Sequence, residues 1–191
     1  LRNGEQCRAL RHVFFAERGA RAPAHLKAVE TAPMDNVVVI GGGTMGSGIA
    51  HALARSGSAV TLIESGDEAL DRARRRMTDL YEAAVQRGLI EAEVATAEQD
   101  TIRFQTGYDG VEDSGLVIEA VFEDMKIKQD VMKALDLAAP DAVLASNTSY
   151  LDIDLMAACL ADPSRLVGLH FFSPAHIMKL LSLIHISEPT R

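Results

Sequence analysis

The sequence is poor in the residues and patterns that mark several classes of protein. Its 191 residues include two cysteines, Cys7 and Cys159, no tryptophan and 5% aromatic residues. Two cysteines this far apart form neither a disulfide framework nor a paired-cysteine metal site. No apolar run is long enough to cross a bilayer, and the basic N-terminus lacks the apolar stretch of a secretory signal. These features predict no membrane span and a location in the reducing cytoplasm, and an organelle is the alternative.

Positive charge is also scarce. The chain carries 19 Lys and Arg against 27 Asp and Glu, a formal net charge of -8. Nucleic-acid binding depends on clustered positive charge, so no nucleic-acid partner is predicted. The five histidines other than His170 lack the cysteine or carboxylate spacing of a metal site, so no metal is predicted. The 48% of hydrophobic and 24% of charged residues are typical of one globular domain with a short attachment.

The first 34 residues differ from the rest because they are rich in arginine and are interrupted by proline. Apolar residues at helical spacing, such as Leu10 and Phe14, predict a short amphipathic helix over residues 5–18. We expect Gly19 to end this helix and a linker to follow it. Two interpretations stay open: a frayed terminus with a charged face, and a connector from a preceding domain that this sequence does not contain. The composition of the linker favours the connector.

From residue 36 onward, short β-branched runs alternate with helical patterns. Strands are predicted at residues 36–40, 59–63, 101–104, 116–121, 142–146 and 166–171. Helices are predicted after the glycines at 41–46, over 67–87, over 125–138 and near 155–160. Strands that alternate with helices indicate βαβ units. The predicted fold class is α/β, a Rossmann-type doubly wound and mostly parallel sheet, preceded by the short helix and its linker.

The first predicted strand leads directly into residues 41–46, which match G-x-G-x-x-G and open a helix. In this context Gly41 permits a tight turn, Gly43 lets the backbone approach a pyrophosphate, and Gly46 lets the helix pack closely on the strand. The first N–H groups of the helix attract the anion. The motif therefore predicts a dinucleotide site, and the alternative is a purely structural glycine turn.

Glu64 lies at the end of the second predicted strand. A carboxylate at this position can accept hydrogen bonds from both ribose hydroxyls of an adenosine and would repel a 2′-phosphate. Residues 65–70 contain no Lys or Arg that could hold such a phosphate. NAD is therefore predicted in preference to NADP, and the alternative is an ordinary surface glutamate.

Three polar groups follow later strands, at the edge of a doubly wound sheet where ligands bind. The acidic segment at 119–124 is equally compatible with the first turn of a helix, and the Ser/Thr cluster at 146–149 with a helix cap. His170 lies in an apolar run, where a histidine is commonly a core residue. An imidazole with a pKa of about 6.5 is nevertheless suited to removing a proton from an alcohol as hydride leaves it.

Four stretches together resemble the NAD-binding domain of the L-3-hydroxyacyl-CoA dehydrogenase family, over about residues 35–180. They are VIGGGTMGSGIA at 39–50, VIEAVFEDMKIK at 117–128, ASNTSY at 145–150 and GLHFFSPAHIMKL at 168–180. The segment around residues 9–18 resembles the connector that follows the enoyl-CoA hydratase part of multifunctional fatty-acid oxidation enzymes. The resemblance implies a connector over residues 1–34 from a missing preceding domain and an NAD-binding domain over residues 35–180.

The resemblance also implies a role for individual residues. The implied NAD-binding residues are Gly41, Gly43, Thr44, Met45, Gly46, Glu64, Glu123 and Lys128. Ser149 is implied to hydrogen-bond the substrate hydroxyl, and His170 to act as the general base. Arg87, on the long predicted helix, matches a basic position that contacts CoA in relatives.

The sequence departs from the family near its end. Ser182 stands where the family has the glutamate that orients its catalytic histidine, and Ser173 stands where the family usually has asparagine. Residues 181–191 resemble the translation of a sequencing-library adapter, which predicts a non-native tail; the alternative is a genuine strand over residues 179–186. Relatives have a following helical domain that supplies another catalytic asparagine and the dimer contact, so the parent protein is expected to be oligomeric.

The predicted function is that of a fragment of an oxidoreductase. The parent enzyme oxidises an L-3-hydroxyacyl-CoA to the 3-oxoacyl-CoA with NAD in fatty-acid β-oxidation, and the chain by itself is expected to be inactive. Two alternatives remain. One is a non-catalytic NAD-binding module. The other is a hydroxy-acid dehydrogenase of a different Rossmann family that shares only the glycine turn, against which the Ser149 and His170 elements argue.

Overall fold

The structure, a computed structural model, describes residues 4–21, 34, 36–178 and 180–185. The chain divides into two compact units, Leu1–Ala32 and Pro33–Arg191, and each is described by itself. Residues 22–33, within the predicted linker, lie outside the described residues.

The described part of the first unit is helix α1, Glu5–Arg21, which confirms the helix predicted there. Glu5 lies in the first turn, where a negative charge interacts favourably with the helix dipole. The expectation that Gly19 ends the helix is wrong, since the helix continues to Arg21. One glycine costs a helix about 1 kcal/mol relative to alanine, a penalty that the preceding turns of continuous helix offset.

The second unit is built on one sheet, in which the described residues supply seven strands in the order β3-β2-β1-β4-β5-β6-β7. The strands are β1 Asn36–Ile40, β2 Ala59–Glu64, β3 Ile102–Thr106, β4 Leu116–Glu119, β5 Val143–Ser146, β6 Leu166–Phe171 and β7 Leu181–His185. Strands β1 to β6 are parallel, and β7 is antiparallel to β6. The chain winds outward from β1 in both directions, which confirms the predicted doubly wound fold.

Helices cover both faces of this sheet. They are α2 Thr44–Arg55, α3 Asp67–Gln86, α4 Ala92–Asp100, α5 Met125–Ala138 and α6 Ile153–Ala157, with a 3-10 turn at Pro163–Arg165. Helix α4 is absent from the sequence-based prediction because Ala95 is its one buried residue, so it has no apolar stripe. Its contacts are polar: Glu98 pairs with Arg55 at 3.2 Å, and Gln99 donates to Thr78 at 3.0 Å. None of the helices that the structure describes is long and apolar enough to span a membrane.

Two hydrophobic clusters flank the sheet because successive residues of a strand point to opposite faces. Val39 of β1 packs on one side with Ile49 of α2 and Met77 of α3. Its neighbour Ile40 belongs to the other cluster, with Met132 of α5. The central strands are therefore buried on both faces, as continuous β-branched runs predict for a parallel sheet.

Strand β7 extends the sheet beyond the six predicted strands. The sequence predicts residues 181–191 to be a tail outside the fold, whereas the structure pairs Leu181–His185 with the edge of β6, as in the alternative strand interpretation. The physical reason is that β6 would otherwise present unpaired backbone groups at the sheet edge, which an added strand satisfies. A non-native origin of this segment stays a prediction, and residues 186–191 lie outside the described part of the chain.

Candidate functional site

The glycine turn joins β1 to α2 at the carboxyl edge of the sheet. Gly41 has a φ of 94°, which L-residues with side chains rarely adopt. A Cβ atom on Gly46 would overlap the carbonyl oxygen of Gly41, so helix and turn are in direct backbone contact. A Cβ on Gly43 would meet no described atom within 4 Å. Gly41 and Gly46 thus close the turn, while Gly43 faces open space that a ligand can enter.

This open space is a cleft of about 810 Å³ at the point where the strand order reverses, between β1 and β4. Gly41, Gly43, Thr44 and Met45 line it on one side, and residues 120–122 on the other. Helix α2 begins here, and no described side chain caps its N-terminus, so the N–H groups of its first turn are directed at the cleft. The size and position of the cleft suit a nucleotide.

Glu64 lines the same cleft from the end of β2. Its Oε1 accepts a hydrogen bond of 2.7 Å from the Gly42 N–H, and its Oε2 accepts one of 3.2 Å from the Ser65 N–H. The carboxylate is therefore held beside the glycine turn. A basic group also reaches the turn, because Arg76 of α3 places its Nη1 3.4 Å from the Gly42 carbonyl oxygen. This arginine lies outside residues 65–70, and helix α3 places it beside the turn.

A buried ionic cluster lies behind the cleft wall. Lys128 of α5 is 1% exposed, and its Nζ lies 2.6 Å from Oε1 of Glu119 and 3.2 Å from Oε2 of Glu123. Glu119, fully buried at the end of β4, also accepts hydrogen bonds from the Ser146 hydroxyl at 2.6 Å and the Val121 N–H at 2.7 Å. Burying these charges is tolerable because each one is paired and hydrogen-bonded.

Lys128 is predicted to lie near the cofactor, and in the structure its ammonium is enclosed by acceptors of the fold. Three acceptors surround it: Glu119, Glu123 and, at 3.4 Å, the carbonyl oxygen of Val121. An ammonium has three donors, so these contacts use them all. Lys128 is also absent from the residues that line the cleft. In the described structure, partner charges inside the fold satisfy this ammonium, and its contact with a bound cofactor stays a prediction.

Glu123 extends this cluster to the segment that follows β5. Its Oε1 accepts hydrogen bonds of 2.7 Å from both the Thr148 hydroxyl and the Ser149 N–H. Partial burial alone would raise the pKa of Glu123, but these hydrogen bonds and the charge of Lys128 outweigh it and lower the pKa. Glu123 thus remains ionised and anchors the backbone of Ser149.

His170 lies on β6, at the same carboxyl edge of the sheet. Ser146, the last residue of β5, is paired with Gly168, two residues before His170. The side-chain oxygen of Asn147 accepts a hydrogen bond of 2.9 Å from the Phe171 N–H, which ties the segment after β5 to the end of β6. The structure therefore brings the Ser149 segment and His170 to neighbouring strand ends.

Strand β7 determines what stands opposite His170. The Cα partner of His170 in the antiparallel pair is Ser182. Side chains of directly opposed residues lie on the same face of a sheet, so position 182 is within reach of the imidazole. A hydroxyl, and not a carboxylate, occupies that position. The ring of Phe172 lies 4.8 Å from that of His170, centroid to centroid.

Residues 36–190 match the family model described as 3-hydroxyacyl-CoA dehydrogenase, NAD binding domain. The chain belongs to this dehydrogenase family. The match extends far beyond the glycine turn, so a different family of hydroxy-acid dehydrogenases that shares only that turn is not supported. Membership of the 3-hydroxyacyl-CoA dehydrogenase family confirms the resemblance seen in the sequence.

Known proteins similar to the chain are longer than it is. It is 37% identical to the peroxisomal bifunctional enzyme of Cavia porcellus, over 100% of the chain and 27% of that protein. It is 36% identical to the peroxisomal fatty acid beta-oxidation multifunctional protein AIM1 of Arabidopsis thaliana, over 94% of the chain and 25% of that protein. The crystal structure of M. tuberculosis FadB2 superposes with a TM-score of 0.78 at 38% identity, over 80% of the chain and 54% of FadB2. The chain thus spans about a quarter of the length of these curated relatives.

NAD is the cofactor of the 3-hydroxyacyl-CoA dehydrogenase family, and the cleft of this chain fits it. The free space at Gly43 and the uncapped N-terminus of α2 can receive a pyrophosphate. Glu64 faces the same space, and each of its carboxylate oxygens retains a lone pair after its one hydrogen bond. Which residues contact NAD stays a prediction. In the described part of the chain, no group of three or more His, Cys, Asp or Glu could hold a metal ion.

Arg87, the predicted CoA contact, is exposed and caps the C-terminal end of α3 in this dehydrogenase domain. Burial is the larger cause that lowers the pKa of His176, and the charge of Arg87 is the second. The contact of Arg87 with CoA stays a prediction.

The sequence offered no signal for a buried aromatic cluster around His51 on α2. His51 is 4% exposed, its ring lies 4.6 Å from that of Tyr81 and 5.6 Å from that of His176, centroid to centroid. Neither of its ring nitrogens has a hydrogen-bond partner among the described residues. Burial, followed by the charges of His176 and Arg55, lowers the pKa of His51 to about 4. His51 is therefore held neutral in the folded domain.

Proposed function

We propose that this chain is the NAD-binding part of an enzyme that oxidises the 3-hydroxyl group of an L-3-hydroxyacyl-CoA to a ketone. The observation that carries this proposal is the position of Ser149 and His170 at neighbouring strand ends, on the sheet edge that also holds the glycine-turn cleft. An alcohol placed there would lie between a hydroxyl, a proton acceptor and the cofactor. The family match supports the same reaction.

In the proposed mechanism His170 is the general base and Ser149 holds the substrate. NAD, when bound, supplies the acceptor of the hydride that leaves the carbon bearing the hydroxyl. The imidazole of His170 takes the hydroxyl proton, so the C–H and O–H bonds break as the carbonyl forms. The Ser149 hydroxyl donates to the substrate oxygen throughout, and Glu123 keeps its backbone in place.

The chain by itself is proposed to bind NAD without efficient turnover. Ser182 stands opposite His170, and a serine carries no charge to stabilise the imidazolium that forms. The peroxisomal relatives from Cavia porcellus and Arabidopsis thaliana are about four times as long as the chain, so other segments are available there to enclose an acyl-CoA. The proposed parent enzyme is oligomeric through a helical domain that follows the NAD-binding domain. A non-catalytic NAD-binding module is the second candidate, and the uncharged Ser182 is the observation that favours it.

Production of NADH from a short-chain L-3-hydroxyacyl-CoA tests these proposals. Three proteins are compared: the 191-residue chain, its Ser182→Glu variant, and the chain extended by the helical domain of a relative with a glutamate at position 182. We expect slow or no turnover from the first two, because positioning and exclusion of water need the extension, and restored turnover from the third. Full turnover by the unmodified chain would refute the fragment hypothesis, and none from the extended protein would favour the non-catalytic module.

The predicted cytoplasmic location stays a proposal, and a peroxisomal location is its alternative. The Cavia porcellus and Arabidopsis thaliana relatives are named as peroxisomal proteins. Expression of the full-length parent gene with an internal fluorescent tag distinguishes the two: a diffuse signal supports the cytoplasm, and overlap with a peroxisomal marker supports the organelle.

A further inference from the structure

We propose that His51 and His176 form a latch that holds the turn after β6 on helix α2 while both imidazoles are neutral, and that proton uptake releases this turn. The turn, residues 172–178, directly follows the strand that carries His170. Helix α2 begins at the glycine turn of the cleft. The latch therefore joins the helix that faces the cleft to the segment next to the proposed general base. The consequence for His170 rests on the function proposed above, whereas the latch itself is tested without catalysis.

The turn after β6 lies directly on helix α2. A Cβ atom on Gly48 of α2 would lie 3.4 Å from the Cβ of Ala175 and 3.7 Å from the Nδ1 of His176. Ala175 is 8% exposed and belongs to the hydrophobic cluster that also contains buried residues of α2. The contact between the turn and α2 is therefore part of the packed core and brings His176 to the helix.

The burial of His51 is not compensated by hydrogen bonds among the described residues. The side chain is 4% exposed, and neither ring nitrogen has a partner there. Its neighbours are the rings of Tyr81 and His176, both in edge-to-face contact. Neutral rings pack favourably in this arrangement, whereas an imidazolium without hydrogen bonds would lose its hydration. The ring of His176 thus helps to shield His51 from water.

The charged groups near the two histidines disfavour a further positive charge. The titratable and charged groups come from α2, α3, α4 and the turn, and they are Arg55, Tyr81, Arg87, Glu98 and His176. The carboxylate among them, Glu98, is paired with Arg55 at 3.2 Å. Burial, followed by the charges of His176 and Arg55, lowers the pKa of His51 to about 4. Burial, followed by the charge of Arg87, also lowers the pKa of His176.

Release of the turn changes the affinity of His51 for protons. In the released form His51 meets water, and its pKa returns toward the ordinary value of 6.5. Below that pH the released form binds a proton that the closed form excludes, so falling pH favours release. With pKa values of about 4 and 6.5, the equilibrium constant for release increases about thirtyfold between pH 7.5 and pH 5.

Amide hydrogen exchange of the 191-residue chain between pH 7.5 and pH 5 tests the proposal. The N–H groups of Ile177 and Met178 donate to the carbonyl oxygen of Pro174 at 3.0 and 2.9 Å, so their exchange reports on the turn. We expect the protection factors of these two amides, which correct for the intrinsic effect of pH, to fall at least about tenfold. The amide of Val39, in the centre of the sheet, reports global unfolding and should stay more protected at every pH.

His51→Phe removes the titrating group and keeps an aromatic ring against Tyr81. Most of the pH dependence at Ile177 and Met178 should disappear in this variant. His12→Phe, exposed on α1, is the matched control and should leave the pH dependence unchanged. An unaltered pH dependence in His51→Phe would overturn the proposal. Equal protection of the turn amides and Val39 in the parent chain would also overturn it, because the turn would then open only with the whole domain.

A disulfide that ties the turn to α2 tests the release itself. The 3.4 Å between a Cβ on Gly48 and that of Ala175 is close to the separation in natural disulfides, about 3.5–4.5 Å. In the Gly48→Cys/Ala175→Cys variant, the oxidised protein should lose the pH-dependent exchange of the turn amides, and reduction should restore it. Peptide mass spectrometry verifies that the bridge does not involve Cys7 or Cys159.

An oxidised protein that keeps the full pH dependence would overturn the proposal, since the turn could not have left α2. The phenylalanine variant and the disulfide variant alter different parts of the latch. If one of them does not fold, the other still decides whether proton uptake by His51 releases the turn.

Discussion

At the scale of single residues, Glu64 and Arg76 carry opposite charges and both contact the backbone of Gly42. The carboxylate of Glu64 accepts from the N–H of Gly42, and the guanidinium of Arg76 donates to the carbonyl oxygen of the same residue. A 2′-phosphate beside Glu64 would be repelled by the carboxylate and attracted by the arginine. The choice between NAD and NADP therefore depends on both side chains. Glu64 has the shorter hydrogen bond to Gly42, 2.7 Å against 3.4 Å for Arg76.

The first prediction is that the chain binds NADH more tightly than NADPH and that Glu64→Ala narrows this preference at least about tenfold. NADH loses a hydrogen bond from its ribose to the ionised carboxylate, and NADPH is freed from the repulsion between that carboxylate and its 2′-phosphate. Fluorescence titration with both reduced cofactors measures it. Arg76→Ala is the matched control and should weaken NADPH alone. Equal affinities in the unmodified chain would refute the role given to Glu64.

The second prediction concerns the imidazole of His170. In the extended enzyme, His170→Ala should reduce kcat by roughly 10²–10⁴-fold, the usual contribution of a general base, and should leave NADH affinity unchanged. His12→Ala on α1 is the control, since that side chain is exposed and belongs to the other unit. Unchanged turnover with a 3-hydroxyacyl-CoA would mean that His170 is a packed core residue.

At the scale of elements, the turn between β1 and α2 contains one glycine that packs against backbone and one that borders the cleft. Gly46 faces the backbone of Gly41, and Gly43 faces open space. The two glycines lie three residues apart in one motif, yet an added methyl group meets protein at one position and only the cleft at the other. Each glycine is thus required for a different physical reason.

The third prediction follows from this difference. Gly46→Ala should lower the free energy of unfolding by about 2 kcal/mol or more, because its Cβ overlaps backbone that cannot rotate away. Gly43→Ala should keep the stability of the parent chain but weaken NADH binding at least about tenfold, because its Cβ stands where the ligand approaches. Urea unfolding and NADH titration of both variants measure this. A Gly43→Ala variant with normal NADH affinity would place the pyrophosphate elsewhere.

Elements were predictable where their residues carry a pattern of their own. β1 and α5 have the bounds that the sequence predicts, because a β-branched run and an apolar stripe ended by proline need no partner to be recognised. Helix α4 could not be predicted, since it is polar on most of its surface and packs through Arg55 and Thr78. Strand β7 is an edge strand whose place depends on the open edge of β6.

At the scale of the whole molecule, the buried His51 cluster makes stability depend on pH. The pKa of His51 is about 4 in the folded domain against an ordinary value of 6.5. Between these two values the unfolded chain binds a proton at this site and the folded chain does not. Neutral His51 therefore contributes fully to the free energy of unfolding above pH 6.5, and this contribution is lost progressively as the pH falls toward 4.

The fourth prediction is that His51→Phe flattens the loss of stability between pH 6.5 and pH 4. The aromatic ring keeps its packing on Tyr81 but cannot take up a proton, so up to about 3 kcal/mol of pH-dependent destabilisation disappears. Urea unfolding at several pH values measures it, with the exposed His12→Phe as control. A His51→Phe variant whose stability falls with pH as steeply as that of the parent chain would contradict it.

The sequence by itself determined the fold class, the glycine turn, the place of Glu64 at the end of β2, and the family. Each of these depends on a short run of residues or on a fixed spacing between residues that are close in sequence. It also indicated Ser149 and His170, since both follow strands whose ends must meet at one edge of a parallel sheet. Only the tertiary structure decided that Lys128 is buried between Glu119 and Glu123, that Arg76 reaches the turn, and that Ser182 stands opposite His170. Those contacts join distant parts of the chain, and their geometry depends on how strands and helices pack, which no local pattern contains.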